Sequence, residues 1–202
     1  MARVKLTKTE LKAQNDALKR YLRFLPMLQL KKRQLQAEIA RISAKEAEVA
    51  AREAAETGAI SRWIALAGVE PAALDGLVES FRARTSSANI AGVAIPVFEG
   101  ADVALRRIDK WATPAWLDDV AAATSAILAL RAERAVCAEQ LRLVSGELRQ
   151  TSQRVNLFEK VKIPECREAI RTIKIALGDE QTAAVTRGKI AKSRTPESGA
   201  AA

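Results

Sequence analysis

Cys137 and Cys166 are the side chains best suited to nucleophilic, redox or metal chemistry, and neither has a Cys-x-x-Cys or other ligand spacing around it. They read as small packing residues in a reducing compartment. The chain contains no His, which removes the commonest general base and the commonest metal ligand together. No Gly-rich phosphate loop and no nucleophile–base constellation occurs either. The expectation is a non-enzymatic chain with no metal and no cofactor.

What remains is charge. The 202 residues carry a net +9, unevenly placed. Met1–Lys45 holds 12 basic and 3 acidic residues, Glu46–Leu141 holds 9 and 14, and Arg142–Arg194 holds 12 and 6. Both ends are basic and the middle is acidic. If the chain folds back on itself, the basic arms meet in a rod polarised end to end.

The elements that would place these charges are long helices. Apolar residues make up 49% of the chain and aromatics only 4%, the rest being crowded with Ala, Leu, Glu, Lys and Arg. Thr7 and Glu10 form a capping box, with Leu6 and Leu11 placed as a hydrophobic staple. From there Leu11, Leu18, Leu25, Lys32, Ile39 and Glu46 share one heptad position, and Gln14, Tyr21, Leu28, Leu35, Ile42 and Val49 the other. Nine of these twelve are apolar, which favours a sustained coiled-coil seam. The pattern runs past Trp63 to Gly68 and Pro71, a C-terminal stop.

A second long helix is expected to open at Thr113-Pro114, a cap followed by a first-turn proline, with Asp118 and Asp119 complementing its positive end. Ile127, Arg134, Leu141, Leu148 and Val155 form one heptad series; Leu130, Cys137, Val144, Thr151 and Phe158 form the other. The seam then slips by one residue, resuming at Ile163, Cys166, Ile170, Ile173 and Leu177, and the slip coincides with Pro164. Pro26 interrupts the first helix likewise. Antiparallel pairing sets the two prolines at about the same height, with one shared bend.

Residues 68–112 differ in kind. A short helix is expected over Pro71–Phe81, then a break at Thr85-Ser86-Ser87 and an extended run Asn89–Phe98. A turn at Glu99–Asp102 and a returning strand Val103–Ile108 complete a short β-hairpin at the connecting tip. The strand run offers Ile90, Val93, Ile95, Val97 and Phe98 as a docking edge, or it simply closes the tip. Trp63, Trp111 and Trp116 read as packing residues near the helix–connector junctions. The fold class is all-α: a long antiparallel two-helix coiled coil, with arms 1–67 and 113–192, connector 68–112 and a disordered tail 193–202. The longest uncharged apolar stretch, Val120 to Leu130, is too short for a bilayer, so any membrane attachment runs through a partner.

Three blocks in order carry a family resemblance. They are Thr7-Lys8, Leu11, Leu18-Lys19, Leu28 and Lys31-Lys32-Arg33 with Leu35; Asn89-Ile90-Ala91-Gly92-Val93 with Ile95-Pro96; and Arg154-Val155-Asn156-Leu157 with Glu159, Ile163-Pro164 and Ile170. Together they resemble the D subunits of V-type ATPases and ATP synthases. Leu6 stands where that family often has Pro, and Phe24 and Pro26 stand near a usual Gly.

The resemblance implies a central-stalk rotor axle. Its paired termini would lie inside the catalytic A/B hexamer, the F subunit would clasp the lower coiled coil, and the foot would sit on the stalk subunit that couples to the membrane ring. ATP chemistry would belong to A/B, with the chain cytoplasmic and peripheral to the membrane. Lys8, Lys12, Lys19, Arg20, Arg23, Lys31, Lys32, Arg33, Arg154, Lys160 and Arg171 are then candidates for touching the hexamer, or else a solvated helix face. Asn156 could cap an interhelical network or contact a partner. The rival readings are a basic coiled-coil scaffold and a nucleic-acid binder, the latter lacking any groove-reading module.

Overall fold

The computed structural model describes residues 5–61, 74–109, 111, 113–114 and 116–194. Helix α1 spans Lys8–Ser61, strands β1 and β2 span Val78–Ile90 and Val93–Leu105, and α2 spans Leu117–Leu157. A π-helical turn, Phe158–Lys162, leads into α3, Ile163–Arg194. The chain divides into a terminal unit, Met1–Leu30 with Ser152–Ala202, and a central unit, Lys31–Thr151. The expected helical run past Ser61, with Trp63, Gly68 and Pro71, lies outside the described residues, as does the tail beyond Arg194.

In the terminal unit α1 starts where its cap residues dictate. The Glu10 amide donates to Thr7 Oγ1 at 3.2 Å, satisfying one orphan donor of the first turn. The Glu10 carboxylate does not reach back to the cap; it accepts from Gln14 Nε2 at 2.8 Å instead. Leu11, Leu18, Leu25, Tyr21 and Leu28 are all half-buried. On the other arm Val155, Ile163, Cys166, Ala169, Ile170 and Ile173 are buried. Tyr21 and Phe158 meet with ring centroids 5.0 Å apart, and Gln29 Nε2 donates to Glu159 Oε1 at 2.8 Å.

In the central unit Leu35 and Ile42 of α1 share one core with Cys137 and Val144 of α2. Ion pairs flank it: Lys31 to Glu147 at 2.6 Å, Lys45 to Glu133 at 2.9 Å and Glu53 to Arg131 at 3.0 Å. As the α1 numbers rise the α2 numbers fall, so the two helices run antiparallel here. Arg134, an exposed heptad position, serves the same end by pairing with Glu46 and Glu53.

The β-hairpin is longer than the sequence pattern suggested and turns elsewhere. Val78 pairs with Leu105 and Ile90 with Val93, so the turn is Ala91-Gly92 and not Glu99–Asp102, which lies within β2. Both turn residues have positive φ, 51° and 84°, the geometry that matches the twist of a two-residue hairpin. The Gly92 amide donates to Asn89 Oδ1 at 2.8 Å and fixes it. The polar Thr85-Ser86-Ser87 run sits inside β1, where an exposed ribbon edge accepts hydroxyls. The short helix expected over Pro71–Phe81 is replaced from Val78 by strand.

Nor does the hairpin merely cap a tip. Its base packs with Leu77, Leu117 and Ala121, while Ile95, beside its turn, is buried with Leu35, Ile42, Cys137 and Val144. The amide of buried Gln140 donates to the Pro96 carbonyl. The ribbon therefore lies back along α1 and α2. Helix α2 begins at Leu117 and not at Thr113, whose hydroxyl donates to the Asp109 carbonyl at 2.7 Å. Leu117, wholly buried, anchors the first turn.

Replacing Leu35 by Ala removes a fully buried side chain and is expected to cost ~2–5 kcal/mol in urea unfolding of the full chain. Met27→Ala, at a 63% exposed position, is expected to cost less than about 0.5 kcal/mol. Ala91→Asn relieves a positive φ and is expected to raise the unfolding free energy by roughly 1 kcal/mol; a lowered midpoint counts against the turn geometry.

Candidate partner-binding faces

The terminal unit concentrates positive charge. Its sequence holds 17 basic and 8 acidic side chains, whereas the central unit holds 16 of each, so the whole excess of the chain sits in one unit. Lys8, Lys12, Lys19, Arg20, Arg23, Arg154, Asn156, Lys160 and Arg171 all belong to it and all are exposed. Among the described residues, Arg171 alone of these cations has a carboxylate in reach, Glu168 of its own helix at 3.9 Å. Asn156 makes no side-chain hydrogen bond to the described residues. Between these charges stand exposed apolar side chains: Leu22, Phe24, Met27 and Leu30 on α1, and Leu157 and Val161 on the opposite arm. Cations without internal counter-charge beside uncovered apolar groups make a surface suited to an acidic, partly apolar partner.

Lys31, Lys32 and Arg33 belong to the central unit. The Lys31 ammonium is held by Glu147, Lys32 is half-buried and Arg33 is exposed. Of the hairpin residues, Ile95 is a core position, 4% exposed, while Ile90, Val93, Val97 and Phe98 are half-buried. Phe81, on the outward strand, is more open than any of them.

The tryptophans separate. Trp116 packs with Leu117 and Ala121, whereas Trp111 is 98% exposed and packs on none of the described residues, contrary to the sequence reading. Its one warning was that it falls outside both heptad series. A shallow open groove on α1 and α2 is lined by Ala50, Ala54, Thr57, Gly58 and Ser61 with Glu53, Arg131 and Arg134. Its cations are already engaged by Glu53, so it offers no free charge to a ligand.

Among the described residues no group of three or more metal-binding side chains occurs, and no helix is long and apolar enough to cross a membrane. Burial pushes the thiols of Cys137 and Cys166 above their ordinary range, which suppresses the reactive thiolate. Both are expected to react with a thiol reagent at pH 8 far more slowly in the native chain than in denaturant. Fast native labelling of either argues against the packing. The hydrogen bond from Arg131 outweighs desolvation and, with a further one from Arg134, holds the Glu53 carboxyl below its ordinary value. A lowered folded pKa stabilises above the unfolded value near 4.5 and is lost as pH falls through the folded one. Glu53→Gln is therefore expected to lower the unfolding midpoint slightly at pH 7 and to match the wild type at pH 2–3.

Comparison with known proteins agrees with the resemblance carried by the three sequence blocks. The family model described as the ATP synthase D subunit matches residues 10–193. The V-type ATP synthase D subunit of Borreliella burgdorferi is 44% identical over 195 residues, covering 96% of this chain and 95% of the relative. That of Chlamydia caviae is 33% identical over 197 residues, covering 96% and 94%. This chain belongs to the family of ATP synthase D subunits.

Proposed function

We propose that this chain is the central shaft of a V-type ATP synthase, a non-catalytic subunit that carries rotation between an A/B catalytic hexamer and a membrane ion-transporting ring. The observation that carries the reading is the exposed basic face of the terminal unit, which has almost no internal counter-charge among the described residues. Family membership supplies the machine to which such a face belongs.

A shaft needs stiffness, and an antiparallel coiled coil supplies it. Supporting that reading, all twelve heptad positions on α1 are buried or half-buried, and Cys137, Val144 and Thr151 repeat every seventh residue as buried positions on α2. A shaft must also turn without sticking. Exposed ion pairs are worth ~0.2–1 kcal/mol each, so a face built from many of them binds as a set yet yields contact by contact. On this reading Lys8, Lys12, Lys19, Arg20, Arg23, Arg154, Asn156, Lys160 and Arg171 face the hexamer, together with Lys32 and Arg33. Lys31 serves the central unit first.

The remaining assignments follow the same reading. The F subunit clasps the coiled coil, and the half-buried hairpin residues with Trp111 dock the stalk subunit at the foot. The chain is cytoplasmic and reaches the membrane through these partners. The shared bend at Pro26 and Pro164 gives the shaft unequal sides. The scaffold and nucleic-acid-binding alternatives find no support in the family.

Reversing Lys8, Lys12, Lys19, Arg20 and Arg23 to Glu in the co-expressed complex is expected to weaken hexamer binding by ~1–5 kcal/mol, or roughly five- to five-thousandfold, with loss of ATP-driven ion transport. Wild-type assembly and transport in that variant count against the reading. Trp111→Ala is expected to leave hexamer binding unchanged and to weaken the foot contact in pull-downs.

A further inference from the structure

On the second arm Cys137, Val144 and Thr151 are buried at seven-residue intervals, and the apolar seam shifts by one residue further along. Val155 is followed by Ile163, eight residues on, after which Ile163 to Ile170 and Cys166 to Ile173 are again seven. A regular α-helix advances ~100° per residue, so one extra residue would swing Ile163, Cys166, Ile170 and Ile173 out of the seam. The π-turn Phe158–Lys162 absorbs it: the Ile163 amide donates to the Phe158 carbonyl, five residues back. Pro164 supplies the local cause. It has no N–H to offer, and its ring would collide with the carbonyl four residues earlier, that of Lys160. Widening the turn relieves that clash.

The facing helix is irregular at the same level. Tyr21 touches Phe158 and Gln29 bonds Glu159, so these two contacts bracket Pro26 within α1. Pro26 leaves the Leu22 carbonyl without its usual donor. The residues facing Pro26 are thus in the π-turn itself, five to six positions before Pro164. Within one short stretch both helices depart from the standard ladder. Between them, among the described residues, stand one tilted ring pair and one exposed hydrogen bond, and no residue of the π-turn is buried.

We propose that the π-turn opposite Pro26 is a compliant joint of the basic arm, the place where it bends or twists while the seam beyond, Ile163–Ile173, stays closed. The inference rests on the shaft reading for its purpose and on geometry for its existence. Local opening is favoured by few buried side chains and a weakened hydrogen-bond ladder; no residue of the π-turn is buried, and Pro26 and Pro164 each withhold a donor. The one-residue insertion is then a device that provides compliance without misaligning the next buried face.

The test uses the full chain. In amide exchange, residues 158–163 are expected to exchange about tenfold faster than 166–173. Deleting Val161 together with Pro164→Ala turns the π-turn into plain α-helix and restores seven-residue spacing. That variant is expected to slow exchange there about tenfold with an unchanged or higher Tm. Deleting exposed Arg167 instead rotates Ile170 and Ile173 outward and is expected to lower the Tm by several degrees. Equal protection along the wild-type arm overturns the joint, as does a Val161 deletion no better tolerated than the Arg167 deletion.

In the complex, the straightened variant is expected to assemble normally and to lose at least half of its ion transport per ATP. Unchanged transport with slowed exchange overturns the joint's part in transmission. Failure of the wild-type chain to enter a hexamer overturns the shaft reading while leaving the exchange results standing.

Discussion

A long amphipathic helix cannot bury its own apolar stripe, and that constraint organises the molecule. Along one side of the 54-residue α1, nine of the twelve heptad positions between Leu11 and Val49 are apolar. Isolated, such a helix would expose Leu35, Ile42 and Val49, which here are almost wholly hidden. Each buried side chain of this size contributes ~1.5–3 kcal/mol relative to exposure. The second arm exists to cover that stripe, and its own small residues, Cys137, Val144 and Thr151, set how closely it approaches.

The hairpin is a consequence of the same constraint at the point where two helices alone no longer suffice. Two helices bury one side of each; the ribbon adds a third layer by laying Ile95 into the Leu35–Val144 core and tying Pro96 to Gln140. A two-stranded ribbon is marginal by itself. Packing along α1 and α2 supplies what it lacks. Its base, closed by Leu77 against Leu117, marks where α2 can begin, which is why the helix starts later than its cap-like Thr113.

Helices were legible in the sequence because their signal is repeated many times over. Every heptad position named on α1 is sheltered, and the one-residue slip near Pro164 marks the π-turn. The hairpin was legible only in kind. Asn89-Ile90-Ala91-Gly92 contains the true turn, but an Ala at positive φ is an uncommon sign of one, whereas Glu99–Asp102 looks like a turn and is strand. The pairing of Ile95 with Leu35 is a contact between distant residues, and no local pattern encodes it. The basic face was visible as composition. That its cations other than Arg171 have no carboxylate in reach among the described residues, unlike Lys31 beside Glu147, became visible only in the structure. Trp111 misled because Trp is usually sheltered, and exposure is decided by neighbours that local sequence does not specify.

Magnitudes explain the division of labour between seam and charge. Leu35 truncated in the core is worth more than several exposed ion pairs together. The fold therefore does not need its surface charges, and the central unit can balance its own while the terminal unit carries the entire excess. Charge left unneutralised costs folding little at cellular salt, where fields fade within ~8 Å. Under the proposed function it would shape association, since an acidic partner would meet cations that, Arg171 apart, have no carboxylate in reach among the described residues. Stability resides in the stripe, and the exposed positions around it are free to vary: in the terminal unit Arg20, Phe24, Met27 and Lys160 all stand exposed beside the buried Val155, Ile163 and Cys166.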